Sequence, residues 1–236
     1  MINGPSGKTF DSADVELLHQ LVKVKFIEWR QEPFTLKSGV KSHVYVHGRD
    51  DLTLNPAVLY ALGEEIVMKA RAIMDEESDE RCPCFIGLPT AGTALAAAAS
   101  LADLDSGMVD LPAAFCVMRE VKKAHGAHHQ WVVGHPDPQK FRIFAVDNVA
   151  TDGKTKEEGA AKFAEDGYDA LNLDYLIVVD RQQGAVANLR KKGFKRVHVL
   201  YNLLDLTFIF GEVGIWPKEA VAQVEREIKE HQLIAV

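Results

Sequence analysis

Between residues 84 and 201 the chain alternates two kinds of segment. Apolar runs at 84–88, 113–118, 141–146, 173–179 and 195–201 are separated by helix-like stretches at 92–102, 155–166 and 184–192. Strands apolar on both faces belong in a parallel sheet covered by helices on both sides, where neither face meets water. The pattern predicts an α/β fold, a doubly wound parallel sheet. Such sheets bind ligands beyond the carboxyl ends of their strands, where the strand order reverses. The turns at 88–92, 119–126, 147–155 and 180–183 are therefore expected on one rim.

The flanks carry other signals. Residues 1–10 read as a loose tail, and Asp11 or Ser12 can cap a helix carrying Val15, Leu18, Leu21 and Val22. Residues 34–36 and 41–47 read as two strands about a turn. Asn55-Pro56 opens a helix to about residue 74, and a polar stretch at 75–80 follows. Trp216-Pro217 starts a last helix, amphipathic through Val221, Val224 and Ile228, expected only to pack. The organisation expected is one domain, 1–236: the tail, N-terminal helices and a hairpin hood at 11–80, a sheet core at 81–210 and a C-terminal helix at 211–236.

Composition excludes some function classes. A net charge of −7 argues against nucleic acid as a partner. No apolar run approaches the ~20 residues that span a bilayer, and the start lacks the apolar core of a signal peptide. No membrane association is expected, and the cytoplasm is the expected compartment. The sparse cysteines Cys82, Cys84 and Cys116 read as reduced thiols in that setting.

Residues 143–155 carry the most chemistry. An apolar run ends at Asp147, a turn with Thr151 and Gly153 follows, and a helix-like segment begins. Such a turn presents amides, hydroxyls and a helix N-terminus to a phosphate, with a carboxylate beside it for sugar hydroxyls. The spacing of a Walker loop is absent. The alternative is a strand-to-helix turn whose Asp and Thr only cap the helix.

Four separated segments together resemble the orotate phosphoribosyltransferases, of the type I phosphoribosyltransferase family, over about residues 34–206. Arg119-Glu120-Val121-Lys122-Lys123-Ala124-His125-Gly126 is similar to the family's mobile catalytic loop, Arg-Lys-x-x-Lys-x-His-Gly. Phe34-Thr35-Leu36-Lys37-Ser38-Gly39 resembles its hairpin, Gly87-Leu88-Pro89-Thr90-Ala91-Gly92 its pyrophosphate loop, and Asp180-Arg181-Gln182 the tripeptide whose arginine holds the base.

The resemblance implies transfer of phosphoribose from phosphoribosyl pyrophosphate (PRPP) to orotate by a homodimer with shared active sites, with Mg2+ as cofactor. It implies Lys123, Arg119 and His125 as catalytic residues, Lys123 reaching into the neighbouring site. PRPP would meet Thr90, Ala91, Asp147, Asn148, Val149, Ala150, Thr151, Asp152, Gly153, Lys154 and Thr155. Orotate would meet Lys37, Tyr45, Val46, Thr151 and Arg181. Mg2+ would sit mostly on substrate oxygens and water, so no protein ligands for a metal are expected.

The chemistry suits these residue types. Departure of pyrophosphate leaves positive charge on the ribose and negative charge on the leaving group, so cations aimed at it favour the transition state. A guanidinium pairs bidentately with a carboxylate, as Arg181 would with orotate. Thr151 stands where the purine-salvage enzymes have an aspartate for the base nitrogen, which favours orotate over an oxopurine.

Each residue also has a plainer reading: a solvated basic loop for 119–125, a surface ion pair with Asp180 or Asp174 for Arg181, and a solvent-facing turn for Lys37. His125, His128, His129 and His135 crowd one loop, without the helical spacing or cysteines of a zinc site.

Three positions depart from the family. Asn148 replaces the second carboxylate of an acidic pair, Ala91 a lysine, and Glu120 a basic residue after Arg119. Asp152 adds a further negative charge, with Lys154 beside it and Lys122 one position off the usual pattern. Two alternatives stay open on these grounds: a phosphoribosyltransferase for another nucleobase, and a non-catalytic PRPP-binding homologue.

Overall fold

The structure is a computed structural model describing residues 1–36, 39–47, 52–107, 111–125 and 129–232. Its centre is a six-stranded sheet: β5 (Cys82–Gly87), β6 (Ala114–Met118), β7 (Trp131–Val133), β8 (Phe141–Ala150), β9 (Asp174–Asp180) and β10 (Arg196–Asn202). The order is β10-β9-β8-β5-β6-β7, parallel except for β7, which runs antiparallel to β6. From β5 the chain passes to β6 on one side, then returns to β8 on the other and builds outward. The order therefore reverses between β5 and β8, where a ligand crevice is expected.

Side chains alternate across this sheet with the strand period of two. Phe85, Phe144, Val146, Leu176 and Val178 join one buried cluster, under α1 (Ser12–Lys23), α2 (Pro56–Glu76), α3 (Gly92–Ser106), α6 (Leu203–Glu212) and α7 (Lys218–Gln232). Cys84, Ile86, Ile143, Ala145, Tyr175 and Ile177 join the other, under α4 (Lys154–Glu165) and α5 (Ala185–Lys191). Each buried Val, Leu, Ile or Phe among them contributes about 1.5–3 kcal/mol of hydrophobic free energy. The doubly wound parallel sheet expected from the sequence is the observed fold. Among the described residues, no helix is long and apolar enough to cross a membrane.

Several elements differ from expectation. Residues 1–10 are not a loose tail: β1 (Ile2–Asn3) pairs antiparallel with β2 (Thr9–Phe10), and Phe10 is fully buried. Ser6 donates to Asp205 from its amide (2.8 Å) and hydroxyl (2.5 Å), and the Lys8 ammonium donates to the Leu200 carbonyl at 2.9 Å. These partners lie about two hundred residues away along the chain, so no local pattern announces them.

The hood hairpin joins β3 (Ile27–Thr35) to β4 (Lys41–Val46). Its first strand starts at Ile27 rather than near residue 34; the alternation of Ile27, Glu28, Trp29 and Arg30 breaks at Gln31, Glu32 and Pro33, where the register shifts. β7, which no sequence pattern announces, is held by the buried Trp131, whose indole N–H donates to Asp166. β8 runs on through Ala150, so Asp147 and Asn148 lie within the strand.

Candidate active site

The crevice at the β5/β8 switch point is a cavity of about 610 Å³. Close backbone approach shapes its wall. A Cβ on Gly87 would lie 2.2 Å from Gly92, and one on Gly92 would lie 2.1 Å from the Val146 carbonyl. Only glycine at both positions lets the 88–92 turn fold back onto β8, bringing Pro89, Thr90 and Ala91 into the lining.

Opposite stands the turn into α4. Gly153 has φ +94°, a conformation that favours glycine, and it turns the chain so that α4 starts facing the cavity. Thr151, Asp152, Gly153, Lys154 and Thr155 all line the cavity. The Asp152 carboxylate accepts from the Lys154 amide at 3.1 Å and lies 3.5 Å from its ammonium. Asp152 thus already occupies one of the amides a phosphate would use.

Beneath this turn, Asp147 is paired. The Lys156 ammonium donates to Asp147 Oδ2 at 2.6 Å and to the Val149 carbonyl, and the Asn148 amide donates to Oδ1 at 2.9 Å. Sequence reasoning missed Lys156. The available signal was its place on the apolar face of α4, in helical spacing with Gly159, Ala160 and Phe163, all buried. A lysine there must find a partner.

Arg181 follows β9 and is 2% exposed. It donates from Nη1 to the Val44 carbonyl (2.9 Å), from Nη2 to Ser42 Oγ (2.7 Å) and from its amide to the Ala150 carbonyl (3.0 Å). Its Nε is buried with no protein partner. Burial pulls the guanidinium pKa down to about 10, with Glu227 and Tyr45 opposing, so Arg181 is charged at neutral pH. Its expected alternative as a surface ion pair fails: Asp174 binds Arg142 and His198 at the other end of β9, and Asp180 accepts from the Gln182 amide. Tyr45, Val46 and His47 close this end of the cavity; the Tyr45 ring packs 5.1 Å from Phe34 and 4.5 Å from His47.

No protein-family model matches the sequence. The orotate phosphoribosyltransferase of Methanopyrus kandleri is 31% identical over 185 residues, covering 78% of this chain and 86% of the relative. The chain belongs to the orotate phosphoribosyltransferase family. It is accordingly an enzyme of the phosphoribosyltransferase class. The fold is shared with UMP synthase of Leishmania donovani, with TM-score 0.69 and 23% identity over 93% of this chain and 43% of that longer one. It is shared too with Mycobacterium tuberculosis orotate phosphoribosyltransferase in complex with PRPP, with TM-score 0.53 and 22% identity over 82% and 98% of the two chains.

The family's catalytic-loop positions lie apart from the cavity of their own chain. Lys123 and His125 are exposed, and neither they nor Arg119 line the wall. The loop's base is fixed: the Arg119 amide donates to the Gln130 carbonyl (2.7 Å), and Lys162 donates to the carbonyls of Arg119 (2.8 Å) and Glu120 (2.6 Å). Lys122 is drawn to Glu165 on α4 at 2.6 Å, so it does not stand in for the family's second loop cation. The residue that does line the cavity is Glu120, whose carboxylate accepts from Thr90 Oγ1 at 3.1 Å.

One expectation needs correction. Ala150 is in the core rather than on the wall, since β8 continues through it and the strand period turns it inward. The crowded histidines form no metal cluster among the described residues: His135 packs 5.6 Å from both Trp131 and Tyr168. Lys37 and His128 lie outside the described residues.

A second cavity of about 400 Å³ opens at the amino ends of the strands, lined by Arg81, Arg142, Asp174 and Arg196 among others. Its arginines pair with Asp79, Glu77 and Asp174.

Proposed function

We propose that this chain transfers the phosphoribosyl group of PRPP to orotate, releasing pyrophosphate and forming orotidine 5′-phosphate for pyrimidine nucleotide synthesis. One observation carries the proposal. A single cavity is lined by the 151–155 turn, by Asp147 and by Arg181, whose buried Nε has no protein partner. This set of anion site, carboxylate and guanidinium suits the phosphate, ribose and base carboxylate of one nucleotide.

In the reaction, orotate N1 forms a bond to ribose C1 as the bond from C1 to the pyrophosphate oxygen breaks. The electron pair leaves with pyrophosphate, and the N1 proton is released. Thr151, Gly153, Lys154 and Thr155 would hold the 5′-phosphate, with Asp152 turning aside. Asp147 would accept from ribose hydroxyls through lone pairs that Lys156 and the Asn148 amide leave open. Tyr45 and Val46 would flank the base, and Lys37 is a further candidate contact by the sequence resemblance. Thr151, carrying no carboxylate, fits an acidic pyrimidine that loses its proton readily.

Arg119, Lys123 and His125 would act on the leaving pyrophosphate. Because the exposed Lys123 and His125 lie off their own cavity wall, the site is completed by a second copy, in a homodimer with shared sites. Mg2+ would be carried by the substrate, held mostly by its oxygens and by water, with Asp147 and Asn148 at the wall as outer contacts. It would neutralise pyrophosphate charge. The cytoplasm remains the proposed compartment.

Ultraviolet absorbance tests the proposal. Orotate absorbance should fall when PRPP and Mg2+ are added to the protein. Unchanged absorbance, with PRPP binding seen by calorimetry, would contradict it.

A further inference from the structure

The C-terminal helix α7 does more than pack. Its apolar stripe of Ala220, Val224 and Ile228 is buried, but Glu227 beside that stripe turns toward the hood. The Glu227 carboxylate accepts from Ser42 Oγ at 2.7 Å and from the His43 amide at 3.1 Å, and it meets the His43 ring at Nδ1. Ser42 is fully buried, and the same hydroxyl oxygen accepts from Arg181 Nη2 at 2.7 Å. We infer that Glu227 is a positioning residue for the base-binding end of the cavity, holding Arg181 through Ser42.

The direction of each bond gives the reason. A serine hydroxyl has one hydrogen and two lone pairs. At Ser42 the nearest acceptor for that hydrogen is Glu227, at 2.7 Å, against 3.2 Å to the Val44 carbonyl. With the hydrogen drawn to the carboxylate, one lone pair accepts from the Val44 amide at 3.2 Å and the other from the guanidinium at 2.7 Å, which fixes its rotation. Ser42 also keeps the carboxylate one hydroxyl away from Arg181. A direct ion pair would satisfy the guanidinium internally, whereas this relay lends it a nearby negative charge and leaves its donors not fully used, Nε having no protein partner. The acidic group sits on the last helix and the guanidinium at the end of a core strand, so the hood is clasped between them.

The inference rests on the proposed orotate transfer, so the test begins with turnover by the wild-type protein. Glu227→Ala and Ser42→Ala should each raise the orotate KM about tenfold, the loss of one charge-assisted bond, and leave the PRPP KM within about twofold. Glu227→Gln, which keeps an acceptor for Ser42, should restore most of the orotate KM. The double variant Ser42→Ala/Glu227→Ala should be no worse than either single change, since both break one relay. If Glu227→Ala fails to fold by circular dichroism, Ser42→Ala, which removes one buried oxygen, reads the same relay. Both KM values moving together, or neither moving, would overturn the inference while orotate transfer stands. Absence of orotate turnover by the wild-type protein would overturn the functional proposal and the inference with it.

Discussion

Lys156 and Asp147 form an ion pair beneath the cavity, with 2.6 Å between Nζ and Oδ2 and side chains only 2% and 7% exposed. The carboxylate proposed to meet the ribose is thus internally balanced from the first turn of α4. Lys156→Met should leave a buried carboxylate without its partner and lower unfolding free energy by about 3–5 kcal/mol in urea. Adding Asp147→Asn to it should recover part of that loss. A change below about 1 kcal/mol for Lys156→Met alone would show the pair to be solvated like a surface bridge.

Glu120 places a carboxylate on the wall where the leaving pyrophosphate is proposed to sit, bonded to Thr90. Its removal as Glu120→Gln should tighten PRPP binding about three- to tenfold at low salt, with the gain shrinking as salt is raised. Calorimetry at two ionic strengths measures this. Unchanged or weaker binding would mean that Glu120 does not face the anion.

Lys123 is exposed and off its own cavity wall, so its proposed role needs a second copy. Lys123→Ala should lower kcat by about a hundredfold, with the orotate KM little changed, because the contact strengthens in the transition state. Mixing Lys123→Ala with Arg181→Ala subunits after dissociation should regain about a quarter of wild-type activity, since half of the randomly formed dimers carry one intact site of two. No recovery on mixing would confine Lys123 to its own chain or remove it from the reaction.

Asp174 anchors the opposite end of the sheet. Burial alone would raise its pKa, but bonds from His198 and Arg142 outweigh burial and leave it below the ordinary value. A depressed carboxylate stabilises the fold above its unfolded pKa of about 3.9, and that contribution fades as pH falls through the folded value. Asp174→Asn should therefore cost about 1–3 kcal/mol at pH 7, with Arg142 left only Glu77 and Asp79, and the gap to wild type should narrow below about pH 4. Urea titrations across that range measure the gap; one constant with pH would contradict the assignment. The orotate and PRPP KM values should be unaffected, as these residues lie at the amino ends of the strands.

The sheet was legible because five apolar runs and their intervening helices follow local periods of two and 3.6. The phosphate turn was legible because Asp147, Thr151 and Gly153 are neighbours in sequence. What stayed hidden depends on distant partners. The N-terminal hairpin needs Asp205, and α6 reads as a continuous apolar run in which strand and helix look alike. Lys156 carries a charge at an apolar helix position, where its meaning rests on a carboxylate in the preceding strand. Glu227 belongs to a helix whose apolar stripe predicts only packing, while its partners lie 184 and 185 residues away.

The most direct measurement of the central claim is a crystal of this protein soaked with orotidine 5′-phosphate. The account predicts the phosphate at residues 151–155, the ribose hydroxyls at Asp147 and the base carboxylate on Arg181. A nucleotide bound in the reverse direction, or with its carboxylate away from Arg181, would contradict it.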